Sequence, residues 1–267
     1  MMSEKPIPDY LYHYTSLSSL GLILKNKSLK FNSLKNMDDL EEIKAKDLTE
    51  YGKYYFVSCW TDVEEEKLSL WNMYTGDMGG VRIKLHNLPF ETYTYCIEVE
   101  GVHIKSNNNF LPKEFFEADK YVVYSGNKEI VKRVIYTDDE ELLCPQLIQY
   151  DSETKINLNV KLPGKYKRKE WNFQDEVRYI LPVLPVKVKD ANKKNVNELF
   201  INNILKKVDL PFEYIFLKVK EEYINEIEIT KGPKMSDADS EILDLLVKTY
   251  CPDAKIYESK FKGKIRM

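Results

Sequence analysis

Residues 10–24 have the sequence YLYHYTSLSSLGLIL, in which an alternating stretch passes directly into a helical one. Aromatic and aliphatic side chains alternate from Tyr10 to Tyr14, and this pattern predicts a short strand. Thr15 and Ser16 supply hydroxyl groups that can cap a helix, and leucine and isoleucine then recur at helical spacing. The fold is therefore expected to begin with a strand whose last residues meet a helix N-terminus.

Further along the chain, short hydrophobic segments predict more strands than a helical bundle can hold. The expected strands lie at 29–31, 54–60, 81–85, 93–105 (as a hairpin), 121–124, 131–136, 176–183, 214–219 and 255–261. The expected helices continue from the loop at 36–42 and cover 64–74, 221–227 and 237–250. Because the strands do not alternate regularly with long helices, the pattern favours an α+β fold with mixed or antiparallel sheets and flanking helices.

The length of the chain, 267 residues, is compatible with one elaborated domain covering 1–267. A weak internal boundary near residue 190 makes 191–267 a candidate C-terminal extension. Pro182 lies in the strand expected at 176–183. Since proline cannot donate a ladder hydrogen bond, that strand is expected at an edge or an end of a sheet.

The composition restricts the class of partner. The chain has 40 basic and 43 acidic residues, and a general electrostatic grip on nucleic acid needs a stronger basic patch than this balance predicts. The four cysteines are isolated, so neither a zinc ribbon nor a disulfide framework is predicted, and no metal is expected. No apolar run approaches the ~20 residues of a membrane span, and the N-terminus lacks the apolar region of a signal peptide. We therefore expect a cytoplasmic protein without a membrane partner.

Several catalytic motifs are absent from the sequence, namely HExxH, GxSxG, GxxxxGK[ST] and GxGxxG. Metalloproteases, serine hydrolases, P-loop enzymes and Rossmann dehydrogenases therefore lose support. His13 stands between two tyrosines at the end of the first strand. A lone histidine is usually buried and bonded to backbone, but the free N–H groups of a helix N-terminus commonly bind ligands, so both interpretations stay open.

A second cluster combines two aromatic residues of an expected strand, Tyr55 and Phe56, with Ser69, Trp71 and Tyr74 of the following helix. Such an aromatic stripe is core more often than pocket. Aromatic faces also stack on flat heterocycles, and a buried tyrosine hydroxyl needs a polar partner. Strand alternation places Tyr55 and Phe56 on opposite faces, so one of them at most can line a given cleft.

A third cluster comprises Lys169, Trp171, Gln174, Glu176 and Arg178. In an extended segment, Gln174, Glu176 and Arg178 project from the same face. One interpretation is a surface Glu–Arg pair on an edge strand, which contributes under ~1 kcal/mol. The other is a carboxylate that faces a cleft and is kept ionised by Arg178 and Lys169.

These clusters belong to blocks that resemble, in order and over nearly the whole chain, those of the bacterial domain-of-unknown-function family 2971. The blocks are YHYTSLSSLGLILKNKSLKFNSLKNMDDLEE (12–42), FVSCWT (56–61), LSLWNMYTGDMGGVRIKL (68–85), VIY (134–136), KEWNFQDEVRY (169–179) and YINEIEITKGPKMSDAD (223–239). One departure is Gln174, which stands where the family pattern has the first of two acidic residues. Glu176 is then the one matching carboxylate.

The same blocks look like the ADP-ribosyltransferase fold of the His–Tyr–Glu type, which implies split sheets and NAD as the substrate. The resemblance implies that NAD contacts His13, Tyr14, Thr15, Tyr55, Ser69, Trp71, Tyr74 and Arg178. Tyr14 departs from the glycine usual in the first motif. Ionised Glu176 would hydrogen-bond the ribose and stabilise an oxocarbenium-like transition state, while His13 orients the sugar and Tyr55 (or Tyr74) stacks on nicotinamide.

The resemblance therefore implies an NAD-dependent ADP-ribosyltransferase-like enzyme that modifies a macromolecule, either protein or nucleic acid, or cleaves NAD. A role in phage defence or as a toxin follows by analogy alone. A non-catalytic nucleotide-binding sensor of the same fold is the alternative, and Gln174 and Tyr14 favour it. A plain interaction protein, with the aromatic clusters as core, is the third reading. The sequence does not specify the acceptor or the oligomeric state.

Overall fold

A computed structural model of the protein describes residues 6–125, 130–152, 155–158 and 163–266. The α-helices are α1 (Leu17–Asn26), α2 (Leu68–Tyr74), α3 (Glu140–Leu143), α4 (Val196–Leu205), α5 (Glu221–Asn225) and α6 (Asp237–Tyr250). The strands are β1 (Tyr10–Thr15), β2 (Ser28–Ser33), β3 (Tyr55–Thr61), β4 (Val81–His86), β5 (Tyr93–Val99), β6 (Val102–Asn109), β7 (Tyr121–Val123), β8 (Val131–Arg133), β9 (Ile135–Thr137), β10 (Ile148–Ser152), β11 (Lys155–Leu158), β12 (Tyr166–Arg168), β13 (Glu176–Lys187), β14 (Tyr214–Lys218), β15 (Glu228–Lys231) and β16 (Lys255–Glu258).

The largest sheet in the described part of the chain has ten strands. Its main path runs β14-β2-β3-β1-β4-β15-β16, while β13 pairs with β3 and also with β7 and β8. These pairings are antiparallel except for the parallel pair of β15 and β16. Smaller two-stranded sheets join β5 to β6, β9 to β12 and β10 to β11. The predicted α+β fold with mixed and antiparallel sheets is confirmed.

The large sheet splits beside β3. Strand β13 covers one side of β3 from Tyr55 to Thr61. On the other side β2 pairs near the start of β3, at Phe56 and Val57. Strand β1 joins β3 through a single register pair, Tyr12 opposite Thr61. The β1 side of β3 between these two pairings lacks a regular ladder, and the split opens there.

The two faces of β13 differ in character because side chains alternate along a strand. Val177, Tyr179 and Leu181 enter the main hydrophobic core, which α1, α6 and the β5–β6 hairpin also help to form. Glu176 and Arg178 lie on the other face and are buried as well. A strand buried on both faces is a central strand of the sheet.

The prediction that the strand at Pro182 lies at an edge or an end was wrong. Strand β13 has neighbours on both sides, with β3 on one and β7 and β8 on the other. Pro182 is tolerated because of its position. It is opposite Tyr55, the first residue of β3, and on the other side β8 pairs only as far as Tyr179 while β7 starts at Val183. Its missing N–H therefore falls in the interval between β8 and β7.

The helix expected to continue from 36–42 does not form in the described residues. Leu34–Asn36 and Tyr51–Tyr54 are short 3-10 helices, and irregular chain lies between them. The Asp39 carboxylate accepts a hydrogen bond from the Glu41 amide at 2.9 Å. Such local side-chain bonds compete with the helical ladder, and the acidic residues of this segment are then free to point elsewhere.

The helix predicted from residue 64 begins four residues later, at Leu68. The Glu66 carboxylate is bonded elsewhere, since it accepts from Trp71 Nε1 at 2.9 Å and from the Ser259 hydroxyl at 2.5 Å. It also accepts from the Lys260 amide at 2.9 Å. These contacts attach the N-terminal end of α2 to the segment that follows β16.

The C-terminal third contributes to the same sheet as the N-terminal strands. Strand β14 pairs with β2, and β15 pairs with β4. Residues 191–267 therefore supply strands to the large sheet. Within the described ranges, every helix is too short or too polar to cross a membrane.

Gly80 lies where the turn before β4 passes against β1. A Cβ atom there would meet the carbonyl oxygen of Thr15 at 2.3 Å and that of Thr75 at 2.8 Å. The Gly80 carbonyl itself accepts from the Gly232 amide at 2.8 Å. Three backbone segments thus meet at this position, and backbone cannot yield as the end of a flexible side chain does.

We predict that Gly80→Ala lowers the free energy of unfolding by about 1–3 kcal/mol, because the methyl group overpacks a backbone junction. Gly79→Ala is the matched control. A Cβ at Gly79 meets its first atom, the Gly76 carbonyl oxygen, at 3.4 Å, so we expect a loss of about 0.5 kcal/mol or less. Urea denaturation at equilibrium measures both values. Equal losses would contradict the proposed crowding.

Candidate functional site

A cleft opens on the polar face of the sheet where β1 and β3 diverge. It contains about 590 Å³ of empty space, part of which is open to solvent. Its walls come from β1, β3, α2 and the segment that joins β12 to β13. The lining combines aromatic rings with a few polar groups, as small-molecule binding sites do.

The structure brings together five of the residues that the sequence suggested. His13, Tyr14, Tyr74, Glu176 and Arg178 all line the cleft. They come from three separate elements, since β1 carries the first two, α2 the third and β13 the last two. The split sheet therefore places an imidazole and a late-strand carboxylate on one opening.

The expectation that Tyr55 stacks on nicotinamide in the cleft was wrong. Its side chain is 2% exposed, packs in a different hydrophobic cluster and does not line the cleft. Its hydroxyl donates to the Tyr51 hydroxyl at 3.0 Å. Tyr55 starts β3, whereas the cleft lies at the far end of that strand, where Cys59 and Thr61 line it. The distance along the strand, and not the face, separates Tyr55 from the site.

Three further predicted residues lie outside the lining. Thr15 is buried opposite Val81, and Ser69 is exposed on α2. Trp71 is fully buried behind the cleft wall, with its ring 4.9 Å from that of Tyr14 in an edge-to-face contact. The direct contacts with NAD expected for these residues do not fit their positions, and Trp71 acts by packing against a residue that lines the cleft.

His13 fills the opening between the diverging strands. Its Nδ1–H donates to the Cys59 carbonyl at 2.8 Å, and its ring lies 4.9 Å from the Trp60 ring. Burial lowers the pKa of His13 below its ordinary value, and the bond to the carbonyl only partly opposes this. The imidazole is therefore neutral at pH 7, and its Nε2 is an acceptor.

Glu176 is held by two cations at the base of the cleft. Arg178 donates from Nε to Oε1 at 2.6 Å and from Nη2 to Oε2 at 3.0 Å. Lys167 donates to Oε2 at 3.2 Å. Glu176 is 5% exposed and Arg178 is 1% exposed. The alternative of a solvated Glu–Arg pair on an edge strand is therefore excluded.

Glu42 completes a buried group of four charges, named here the Arg178 network and made of Glu42, Lys167, Glu176 and Arg178. The Glu42 carboxylate accepts from Arg178 through both oxygens, with the Nη2 bond at 2.9 Å, and lies 3.1 Å from Lys167 Nζ. The Gly164 carbonyl accepts from Arg178 Nη1 at 3.1 Å. Two positive and two negative groups balance, which is the condition for burying charge.

Burial alone would raise the pKa of Glu176, but the neighbouring Arg178 and Lys167 outweigh it and hold the pKa at about 2. The carboxylate is therefore ionised throughout the physiological range. Tyr74 lies above it. Burial, and then the charges of Glu176 and Asp38, raise the pKa of the Tyr74 phenol, so it remains protonated. Its hydroxyl accepts from Gln174 Nε2 at 2.5 Å.

Gln174 connects two walls of the cleft, one formed by β12 and the other by α2. Its Oε1 accepts from Lys167 Nζ at 2.8 Å, while its Nε2 reaches Tyr74 of α2. Gln174 ends a 3-10 helix, and Asp175 after it has a left-handed backbone, with φ 42°. The expected extended run of Gln174, Glu176 and Arg178 is therefore interrupted, yet all three side chains line the cleft.

Sequence reasoning missed Lys167 and Glu42. Lys169 was expected to keep the carboxylate ionised, but it is exposed and pairs with Asp138 at 2.6 Å. Lys167 instead keeps the Glu176 carboxylate ionised, because β12 places the Lys167 side chain in the interior beside Glu176. The acidic run NMDDLEE at 36–42 contains Glu42 and could have indicated a buried carboxylate, but the helix expected there predicted a different position for it.

No protein-family model, no curated protein and no solved structure matches the chain. The described residues contain no group of three histidine, cysteine or acidic side chains arranged to hold a metal ion.

We predict that Arg178→Leu lowers the free energy of unfolding by about 3–5 kcal/mol, because it leaves two buried carboxylates without their main counter-charge. Lys169→Gln removes a cation nearby whose ion pair is exposed, and we expect no measurable loss. Denaturation in guanidinium chloride measures both. Similar small losses would mean that the Arg178 network contributes nothing beyond a surface pair.

We also predict a specific pH dependence of stability. The pKa of Glu176 is near 2 in the folded protein and about 4.3 in an unfolded chain, so its contribution is complete above that higher value and is lost as the pH falls toward 2. Unfolding free energies measured from pH 6 to pH 2.5 should fall less steeply in Glu176→Gln. The control is Glu170→Gln, an exposed glutamate outside the network, which should keep the wild-type slope.

Proposed function

We propose that the chain binds NAD in this cleft and breaks its nicotinamide–ribose bond, as an ADP-ribosyltransferase-like enzyme. The observation that supports it is the presence of His13 and Glu176, from β1 and β13, on one open cleft. Aromatic rings of Tyr14, Trp60 and Tyr74 share that cleft. A flat leaving group, a sugar and an ionised carboxylate can therefore meet there.

Glu176 supplies the electrostatic part of the proposed reaction. The bond between ribose C1′ and the nicotinamide nitrogen breaks, its electron pair leaves with nicotinamide, and positive charge develops on the sugar. The fixed negative charge of Glu176 stabilises that state. Its Oε1 accepts a hydrogen bond from Arg178 Nε, and the ribose 2′-hydroxyl takes the place of the Cys59 thiol, which also hydrogen-bonds this carboxylate. Arg178 and Lys167 act as positioning residues for the carboxylate.

The aromatic residues supply the binding surface. Tyr74 takes over the stacking role expected of Tyr55, since it lines the cleft and is 36% exposed. His13, neutral and fixed by the Cys59 carbonyl, offers Nε2 to a ribose hydroxyl. The reaction ends when an acceptor hydroxyl, amide or water attacks C1′ and gives up its proton.

The split antiparallel arrangement and the order His13, Tyr74, Glu176 are consistent with an ADP-ribosyltransferase-like fold. The resemblance to domain-of-unknown-function family 2971 belongs to the same proposal. So do a macromolecular acceptor, a cytoplasmic location and a role in phage defence or as a toxin.

The second candidate is a nucleotide sensor that binds NAD without turnover. The Arg178 network favours it, because its two cations already neutralise Glu176 together with Glu42. A neutralised carboxylate stabilises developing positive charge less than a free one does. The two candidates therefore differ in turnover and agree on binding.

The test is incubation of the purified chain with NAD labelled in its adenylate half, with and without host lysate. We expect nicotinamide release by the wild type and a decrease of about 100-fold or more in Glu176→Gln. Tyr74→Ala, outside the buried network, should weaken NAD binding and release together. Glu170→Gln is the matched control, with an exposed carboxylate on the 3-10 helix that ends at Gln174, and should retain wild-type rates.

The outcomes separate the candidates. Tight NAD binding without release of nicotinamide by the folded wild type supports the sensor. Failure of the folded wild type to bind NAD removes both. Release that is unchanged in Glu176→Gln places the chemistry elsewhere and contradicts the proposed mechanism.

A further inference from the structure

We infer that Arg82 binds a phosphate group of the nucleotide that occupies the cleft, as a subsite that continues the cleft across β1 to β4. This inference rests on the proposed function for the identity of the ligand. A dinucleotide carries a negatively charged diphosphate. The cations that line the cleft, Lys167 and Arg178, are both neutralised by Glu42 and Glu176. The diphosphate therefore needs a cation from outside the Arg178 network.

Arg82 stands directly beside the cleft. It lies on β4 opposite Tyr14 of β1. Its guanidinium lies 4.7 Å from the centre of the Tyr12 ring and 6.0 Å from that of the Tyr14 ring. Both tyrosines line the cleft. Stacking on two rings holds the planar guanidinium in place, and this reduces the entropy that an ordered phosphate contact would cost.

Arg82 is a cation without a carboxylate partner. It forms no salt bridge with the described residues, whereas Lys84, two residues away on the same face of β4, lies 3.2 Å from the Glu228 carboxylate. Nη1 of Arg82 donates to the Glu64 carbonyl at 2.6 Å. Its Nε is buried and has no hydrogen-bond partner in the part of the chain that the structure describes. An anion that draws the guanidinium toward it satisfies this donor, and phosphate matches the fork of an arginine.

The distances suit a dinucleotide. Glu176 is opposite Thr61, and Thr61 is opposite Tyr12, over which Arg82 lies. Two strand spacings separate Tyr12 from Glu176, roughly 10 Å. An extended nucleotide covers such a distance between its ribose and its diphosphate. With the ribose at Glu176, the diphosphate would lie across Tyr12.

The negative charge of Glu64, which neighbours Arg82, disfavours phosphate binding at this subsite. The backbone carbonyl of Glu64 accepts from Arg82 Nη1 at 2.6 Å, and burial and then the negative charge of Glu64 raise the pKa of the Tyr12 phenol. Glu64 is exposed and forms no ion pair within the described residues. Removing its charge should strengthen phosphate binding, the opposite of the effect of removing Arg82.

The experiment is isothermal titration calorimetry of the full chain with ADP, inorganic pyrophosphate, adenosine and NAD. We expect Arg82→Gln to weaken binding of ADP, pyrophosphate and NAD by about tenfold or more and to leave adenosine unchanged. Glu64→Gln should strengthen binding of the three phosphate ligands. Lys84→Gln, the matched control, removes an ion-paired cation from the same strand face and should change each affinity less than about threefold.

Each result has a definite meaning. Equal affinity of Arg82→Gln and the wild type for ADP and NAD overturns this inference and leaves the proposed function standing. Arg82-dependent binding of ADP and pyrophosphate, without NAD turnover by the wild type, supports the inference while the transferase proposal fails. If the wild type binds none of the phosphate ligands, the inference is overturned. Should Arg82→Gln fail to fold, Arg82→Lys decides, since wild-type affinity in that variant contradicts bidentate binding.

Discussion

The divergence of β1 from β3 is the constraint on which the site depends. A sheet normally satisfies every backbone group of its inner strands, and the split leaves the Cys59 carbonyl pointing toward a strand that has moved away. His13 satisfies that carbonyl with its side chain. The same bond holds the imidazole beside Trp60 and keeps the opening from closing into a regular ladder. The side chain of His13 has thus replaced a missing backbone pairing.

Burial of the Arg178 network has a second effect, on specificity of structure. Buried ion pairs contribute little net stability over apolar packing, but removing one partner is costly. Glu42 comes from an irregular segment, Lys167 from β12, and Glu176 and Arg178 from β13. Any arrangement that misplaces one of these segments leaves an unpaired charge in the interior. The network therefore favours one packing of the elements that form the base of the cleft, and this packing also fixes the shape of the cleft.

The family resemblance, and no local pattern, implied that His13 meets Glu176, and both line the cleft. The local sequence predicted the fold class and most strands, because these depend on alternation along the chain. It placed Tyr55 in the site since face alternation says nothing about how far along β3 a cleft lies. It missed Glu42 because a local Asp39 turn overrides the expected helix, and Lys167 because a strand of three residues is too short to show a pattern. Long-range strand pairing decides where along β3 the cleft opens and where β12 lies, and local pattern reveals neither.

The hydrogen bonds from Ser259 and Lys260 to the Glu66 carboxylate have a consequence for biosynthesis. One carboxylate near the start of α2 bonds Ser259 and Lys260, about two hundred positions later in the chain. Strands β14 and β15 likewise find their partners among the first hundred residues. Contacts this distant in sequence form late, when a polypeptide emerges progressively from the ribosome. The wall that carries Tyr74 lacks these contacts until the segment around Ser259 has been made, so the cleft of a nascent chain is completed only after that segment has emerged.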